Sequence, residues 1–315
     1  MGKYIGKRIF LLLIIIIFVS VASFFMVHLL PGNPAAAILG PNDTPQNSAI
    51  LNHQLGLDKP LWQQYFIFIG HVFQGNLGQS YTTHQTTVSI IEQSAPIDLE
   101  LIVISQLMAF ALAFPMAMTA SRRPNSLFDQ MSNGTTFGLL ALPPFVIAPV
   151  LVLIFAVHWH VFPGPASYVP LTQNFWSNLH TALLPSIVVA LGSIVVYFRL
   201  LRNDLISTLQ EDFITMARSK GLSDRRIMWR HALRPSSISL LASVGVAVGG
   251  LIAGLFVVED LLALPGLGFQ LIAAIDQDDY TVVQGITLVV AVSVVLINFA
   301  VDFIFTVVDP RIARE

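Results

Sequence analysis

The sequence predicts an all-α membrane protein with six transmembrane helices and both termini on the cytoplasmic side. Three observations lead there. Of 315 residues, 55% are apolar and only 11% are charged, less than half the roughly 25% charge of a soluble domain, and the mean hydropathy is +0.73. Six apolar runs each approach or exceed the roughly 20 residues that a spanning helix needs. The basic residues then divide by side. With a cytoplasmic N-terminus, thirteen of the 16 Lys and Arg residues fall in cytoplasmic segments, Arg199 and Arg202 sit at the cytoplasmic end of the fourth span, and only Lys59 lies outside, as the positive-inside rule requires.

The first run, residues 9–30 (IFLLLIIIIFVSVASFFMVHLL), follows a short cytoplasmic segment, residues 1–8, carrying Lys3, Lys7 and Arg8. It is longer than the apolar core of a typical signal peptide and no clear A-x-A cleavage site follows it, so it reads as an uncleaved first span. Residues 31–98 form an extracytoplasmic segment. Within it Trp62, Phe66, Ile69 and Phe73 recur at i, i+4, i+7 and i+11, the pattern of one helix face. That helix either lies against the bundle or the bilayer surface, or is a docking platform for an extracytoplasmic partner.

Residues 99–308 make a five-span core. Its spans cover residues 99–120, 137–159 (with Pro143, Pro144 and Pro149), 183–201, 236–258 and 282–308, and a cytoplasmic tail, 309–315, carries Arg311 and Arg314. In the last span Asp302 lies one turn past Asn298. It reads as a structural pairing or as a group on a transport path, since an ionisable residue inside a span has one use or the other. In the fifth span Gly245 and Gly249, then Gly250 and Gly254, are four apart. Small residues so spaced let helices approach closely, or leave room for a solute path.

Several chemistries are excluded. The chain has no cysteine, hence no disulfide, thiolate or Cys-ligated metal site. It contains no G-x-x-x-x-G-K-[ST], H-E-x-x-H or G-x-S-x-G motif. His158 and His160 are two apart and do not share a helix face. No catalytic residue, metal site or cofactor of this chain's own is expected.

Between the fourth and fifth spans, in a cytoplasmic loop over residues 203–235, the sequence EDFITMARSKGLSDRRIMWRHALR (211–234) carries six of the 16 basic residues. Thr208 and Glu211 have capping-box spacing. Phe213, Met216 and Ala217 follow the i, i+3, i+4 rule for one face. Gly221 after Lys220 suits a helix C-terminus, and Ser223 can cap a second helix along Ile227, Arg230, His231 and Arg234. The loop is predicted as helix, glycine turn, helix. Its basic residues hold it in the cytoplasm, and its apolar triplet calls for burial against a cytoplasmic partner.

This stretch resembles the cytoplasmic loop of ABC importer permeases, in the peptide/nickel (oligopeptide/dipeptide) group. The general motif of such permeases is Glu-Ala-Ala, three residues, Gly, nine residues, Ile-x-Leu-Pro. Aligned on Gly221, it is matched by Ala217, Gly221 and Leu233, while Thr215 and Met216 replace the first two residues of the triplet. The peptide-group form, Ala-Arg-x-Lys-Gly-Leu followed by His-Ala-Leu-Arg, matches better. HLLPGNPA (28–35), LGLDKPLWQQY (55–65), GNLGQSY (75–81), EDLLALPGLG (259–268), DYTVVQG (279–285) and VDPRI (308–312) resemble the same group in order. The resemblance implies a type I ABC importer permease bundle for oligopeptides or dipeptides. It implies a second permease as partner (a heterodimer), two cytoplasmic ATPases holding ATP and Mg, and an extracytoplasmic binding protein. It also implies that the loop helix couples to the ATPase. Ala217 would allow close packing, Gly221 the turn, and Phe213 and Met216 apolar contact. Arg218 and Lys220 would supply rim pairs, and Glu211 or Asp212 the acid that the triplet lacks. A nickel or metal-chelate importer permease is the alternative within the group. A stand-alone channel or secondary carrier is the alternative outside it.

Overall fold

A computed structural model of the chain describes residues 2–28, 34–40 and 43–308. The expected tail 309–315, most of PGNP (31–34) and the end of VDPRI lie outside the described residues. Among the described residues thirteen helices follow one another: α1 (Gly2–His28), α2 (Pro34–Leu39), α3 (Pro45–Leu55), α4 (Leu61–Phe73), α5 (Thr87–Arg122), α6 (Leu127–Leu140), α7 (Pro144–Leu151), α8 (Phe175–Leu209), α9 (Asp212–Ser219), α10 (Asp224–Arg226), α11 (Leu233–Leu262), α12 (Leu267–Asp276) and α13 (Tyr280–Val308). Wide π-type turns continue α7 over Val152–His158 and join α10 to α11 over Ile227–Ala232. Among the described residues there is no strand, only an isolated bridge between Gln79 and Thr86.

Among the described residues, four helical segments are long and apolar enough to cross a membrane: Arg8–Met26, Thr87–Arg122, Phe175–Leu209 and Tyr280–Val301. The number reaches six if two interrupted helix pairs, Leu127–Leu140 with Pro144–His158 and Gly249–Leu262 with Leu267–Asp276, each make one pass. The expected third span, residues 137–159, is therefore not one helix. α6 ends at Leu140, and the two pieces meet at 104°. The cause is Pro143-Pro144. Neither residue has an amide donor, and each disfavours helical backbone in the residue before it. Pro144 instead opens α7 at the position where a missing N–H costs nothing. α5 also starts earlier than expected, so its first three turns belong to the predicted outer segment.

The chain forms two compact units, Met1–Ile97 with Pro265–Ala300, and Asp98–Leu264 with Val301–Pro310. In the first, the segments GNLGQSY and DYTVVQG meet. The Asp279 carboxylate accepts from the Ser80 hydroxyl at 2.6 Å and the Tyr81 amide at 3.1 Å. Partial burial pushes the Tyr81 phenol up, keeping it a neutral hydroxyl. Gly285 faces Thr87 so closely that an added Cβ would sit 2.4 Å from the Thr87 Cγ2. Gly285→Ala should therefore lower stability by about 1–3 kcal/mol, as overpacking does, against its better helix propensity. Adding Thr87→Ser, which removes that methyl, should restore the melting temperature of the purified protein. A single variant as stable as the parent would show that the contact yields.

The second unit is organised around α8. Its Tyr197, Phe198, Leu201 and Leu205 are fully buried, among Ala109, Ala113 and Ala117 of α5 and Leu240 of α11. Alanines four apart give α5 a flat strip against which the large α8 side chains pack. Inside this apolar core the Tyr197 hydroxyl donates to Gln106 at 2.5 Å, and the Gln106 amide donates to Ser193 at 3.2 Å. Each polar group is thereby paired, as a buried one must be.

Candidate coupling surface

α9 is only eight residues long, too short to persist by its own hydrogen bonds. Local chemistry defines its ends. Asp212 stands in the first turn and Arg218 in the last, each favourable to the helix dipole. At the C-terminus the Gly221 amide donates to Arg218 O at 2.9 Å and the Leu222 amide to Ala217 O at 3.2 Å. These are the two bonds of a Schellman cap. They require a left-handed residue at position 221, and Gly221 has φ +76°. The chain then turns into α10.

Packing holds what propensity cannot. Ile214 is fully buried and Ala217 is 7% exposed. Both join the cluster around α8 with Ile227, Met228 and Ala232, and Leu222 packs against it. Phe213 and Met216 face the other way, 45% and 55% exposed, with Glu211, Asp212, Arg218, Lys220 and Gly221 exposed beside them. The expected single face of Phe213, Met216 and Ala217 is thus divided. Ala217 packs on its own chain and Ile214, which the triplet omits, is its partner. The outward surface is Phe213 and Met216, one turn apart, with an acidic N-terminal and a basic C-terminal rim. Arg218 approaches Asp224 at 3.9 Å. Both are largely exposed, so the pair adds little to stability.

Two capping expectations also change. α8 continues through Leu209, so Thr208 belongs to its last turn, where its Oγ1 accepts from the Ser236 hydroxyl at 2.9 Å. No capping box forms. Glu211 is the N-cap of α9 by backbone geometry alone, and Ser223 precedes α10 in the same way, neither with a side-chain cap bond.

Above α9, an ion pair absent from the sequence reading ties α6 to α8. Arg202 donates to both carboxylate oxygens of Asp129, at 2.5 Å from Nε and 2.6 Å from Nη2. Asp129 also accepts from the Asn125 amide and the Asn133 side chain, each at 2.9 Å. Two turns along, the Arg199 guanidinium lies 4.4 Å from the centre of the Phe137 ring. The remaining expected residues are not gathered here. At Gly250 and Gly254 of α11 an added Cβ would meet no described atom within 4 Å, so close packing at those two positions is not made among the described residues. Gly245 and Gly249 lie on the same helix. Asp302 lies on α13, and its side chain is outside the described ones.

Four to six apolar helical passes define a polytopic membrane protein. Residues 109–314 match the family described as Binding-protein-dependent transport system inner membrane component. Residues 1–102 match its N-terminal companion, described as Binding-prot-dependent transport system membrane comp, N-term. The chain belongs to this family and is a multi-pass membrane permease. It is 33% identical to the dipeptide transport system permease protein DppB of Lactococcus lactis subsp. cremoris, over 99% of each chain. It is 33% identical to the DppB protein of Escherichia coli K12, over 100% of each. With the oligopeptide transport system permease protein AppB of Bacillus subtilis it shares 29% identity over 99% of each.

Proposed function

We propose that the chain is the transmembrane permease subunit of an ATP-driven importer of dipeptides or oligopeptides, and that α9 couples ATPase closure to alternating access. The carrying observation is the division of α9. Ile214 and Ala217 fasten it to the chain's own core, while Phe213 and Met216 project outward. A rigid helix seated in this way can transmit a push from a partner to α8 and α11, which share its core. The partners in this reading are two cytoplasmic ATPases, which hold the ATP and Mg, a second permease forming a heterodimer with this one, and an extracytoplasmic binding protein. The peptide assignment rests on the relatives, which are named for dipeptides and oligopeptides, and these favour it over a nickel chelate. Six passes with both termini cytoplasmic are supported by the distribution of Lys and Arg.

The test is uptake into proteoliposomes holding this chain with its partner permease, ATPases and binding protein. Labelled dipeptide should accumulate only with ATP, and uptake without ATP would favour a channel or carrier. Gly221→Asp should insert and fold but lose coupled uptake, because it adds a carboxylate beside the outward face. Gly221→Ala is the control. No described atom lies within 4 Å of its added Cβ, so it brings left-handed strain of about 1–2 kcal/mol. Full uptake by the Asp variant would remove α9 from the coupling role.

A further inference from the structure

Among the described residues, α4 presents an exposed apolar face. Trp62 and Phe66 are 62% and 65% exposed, and Phe73 is 87% exposed. What covers it follows from where α4 is fastened. The Tyr65 and Ser20 hydroxyls are 2.8 Å apart. The Phe24 ring meets Tyr65 edge-on at 5.6 Å and Phe68 at 6.0 Å. Ser20 and Phe24 belong to α1, within the apolar segment Arg8–Met26. Ser20 is six residues inside the end of that segment, or about 9 Å along the helix. On the same stretch of α1, Ile17, Phe18, Phe25 and Met26 point outward and exposed. Their partner in a spanning helix is lipid, and α4 is fastened to α1 on this same stretch, through Ser20 and Phe24.

The composition of α4 agrees with that depth. LWQQYFIFIGHVF has no Asp, Glu, Lys or Arg, so no charge would have to leave water. The Gln64 amide is bonded to Leu57 O at 3.1 Å and Lys59 O at 2.8 Å, and the Tyr65 hydroxyl is paired with that of Ser20. Satisfied polar groups are the condition for entering hydrocarbon. We infer that α4 is inserted in the acyl region of the leaflet that holds the C-terminal end of α1, forming with α1 a lipid-embedded anchor rather than a platform for an aqueous partner. The inference rests on α1 spanning the bilayer and is independent of the substrate.

The absence of cysteine from the chain makes single nitroxide labels direct. Labels at Trp62→Cys, Phe66→Cys and Phe73→Cys are read in the assembled transporter, in phosphatidylcholine and phosphatidylglycerol liposomes, with the other subunits made cysteine-free. Phe18→Cys on α1 is the bilayer reference and His71→Cys, on the other side of α4, the comparison. The ratio of oxygen to nickel-chelate collisions at 62, 66 and 73 should resemble that at 18 and exceed that at 71 several-fold. Frequent nickel-chelate collisions at 62, 66 and 73 would place the face in water and overturn the inference. Low collision rates with both reagents would mean a protein cover and overturn it equally. Failure at 18 would instead count against the span.

Discussion

The double variant Phe213→Ser, Met216→Ser should lose at least tenfold in ATP-driven uptake while melting within about 0.5 kcal/mol of the parent, the range of surface substitutions. The two readouts separate because the side chains are half-exposed and do not belong to the core beneath α9. Truncating an apolar anchor at the centre of a protein interface costs about 2 kcal/mol or more in binding, which is roughly thirtyfold in affinity. Ile214→Ala should do the reverse of this. Its side chain is fully buried, and Ile→Ala in a core costs about 2–5 kcal/mol, so the protein should melt early and α9 should lose its seat. Measuring assembly with the ATPases, uptake and melting on both variants distinguishes a docking surface from a packing surface. Unchanged uptake in the double Ser variant would sink the coupling role of Phe213 and Met216.

The same helix shows what a sequence can and cannot reveal. Gly221 was legible, because a left-handed cap has a residue code and the bonds around it are local. The burial of α9 was not. Phe213, Ile214, Met216 and Ala217 are four apolar residues in eight, and successive residues on a helix differ by about 100°. Ala217 lies between two possible stripes, one with Phe213 and Met216 and one with Ile214. Only the position of the core chooses between them. The break at Pro143-Pro144 was written in the sequence but outweighed by the hydropathy of the run around it. Thr208 had the spacing of a cap, yet α8 continued through it, because Leu205 upstream is held in the core. Pairs such as Asp279 with Ser80 are 199 residues apart and leave no local pattern. Their two segments, GNLGQSY and DYTVVQG, carry only a family resemblance in the sequence, and the contact between them gives a physical reason for both.

Arg202→Ala should lower stability by about 3–5 kcal/mol, the cost of removing one partner from a buried ion pair. Asp129 is 1% exposed; without the guanidinium its charge would stay buried, held only by the Asn125 amide and the Asn133 side chain. Arg202→Lys should not rescue it, since one ammonium cannot reproduce two parallel N–H bonds. Asp129→Asn should cost less. The Arg202 side chain is 15% exposed, so a guanidinium left alone can turn toward water. Replacing both residues, by Leu at 129 and Met at 202, should recover most of the loss, because an apolar pair of similar volume removes the desolvation penalty with the attraction. The cycle of single and double variants, read by thermal unfolding, would give a coupling energy of several kcal/mol. A coupling below about 0.5 kcal/mol, the usual error of additivity, would mean that the short contacts contribute nothing to the fold. The pair matters beyond stability because it stands eight residues, about 12 Å, from Phe137, where Arg199 makes the second tie between α6 and α8. Fastened at both points, α6 must follow α8, and α8 shares its core with α9. A variant that loosens the tie without unfolding the protein should therefore retain ATPase assembly but transport poorly, the opposite order of failure from the double Ser variant on α9.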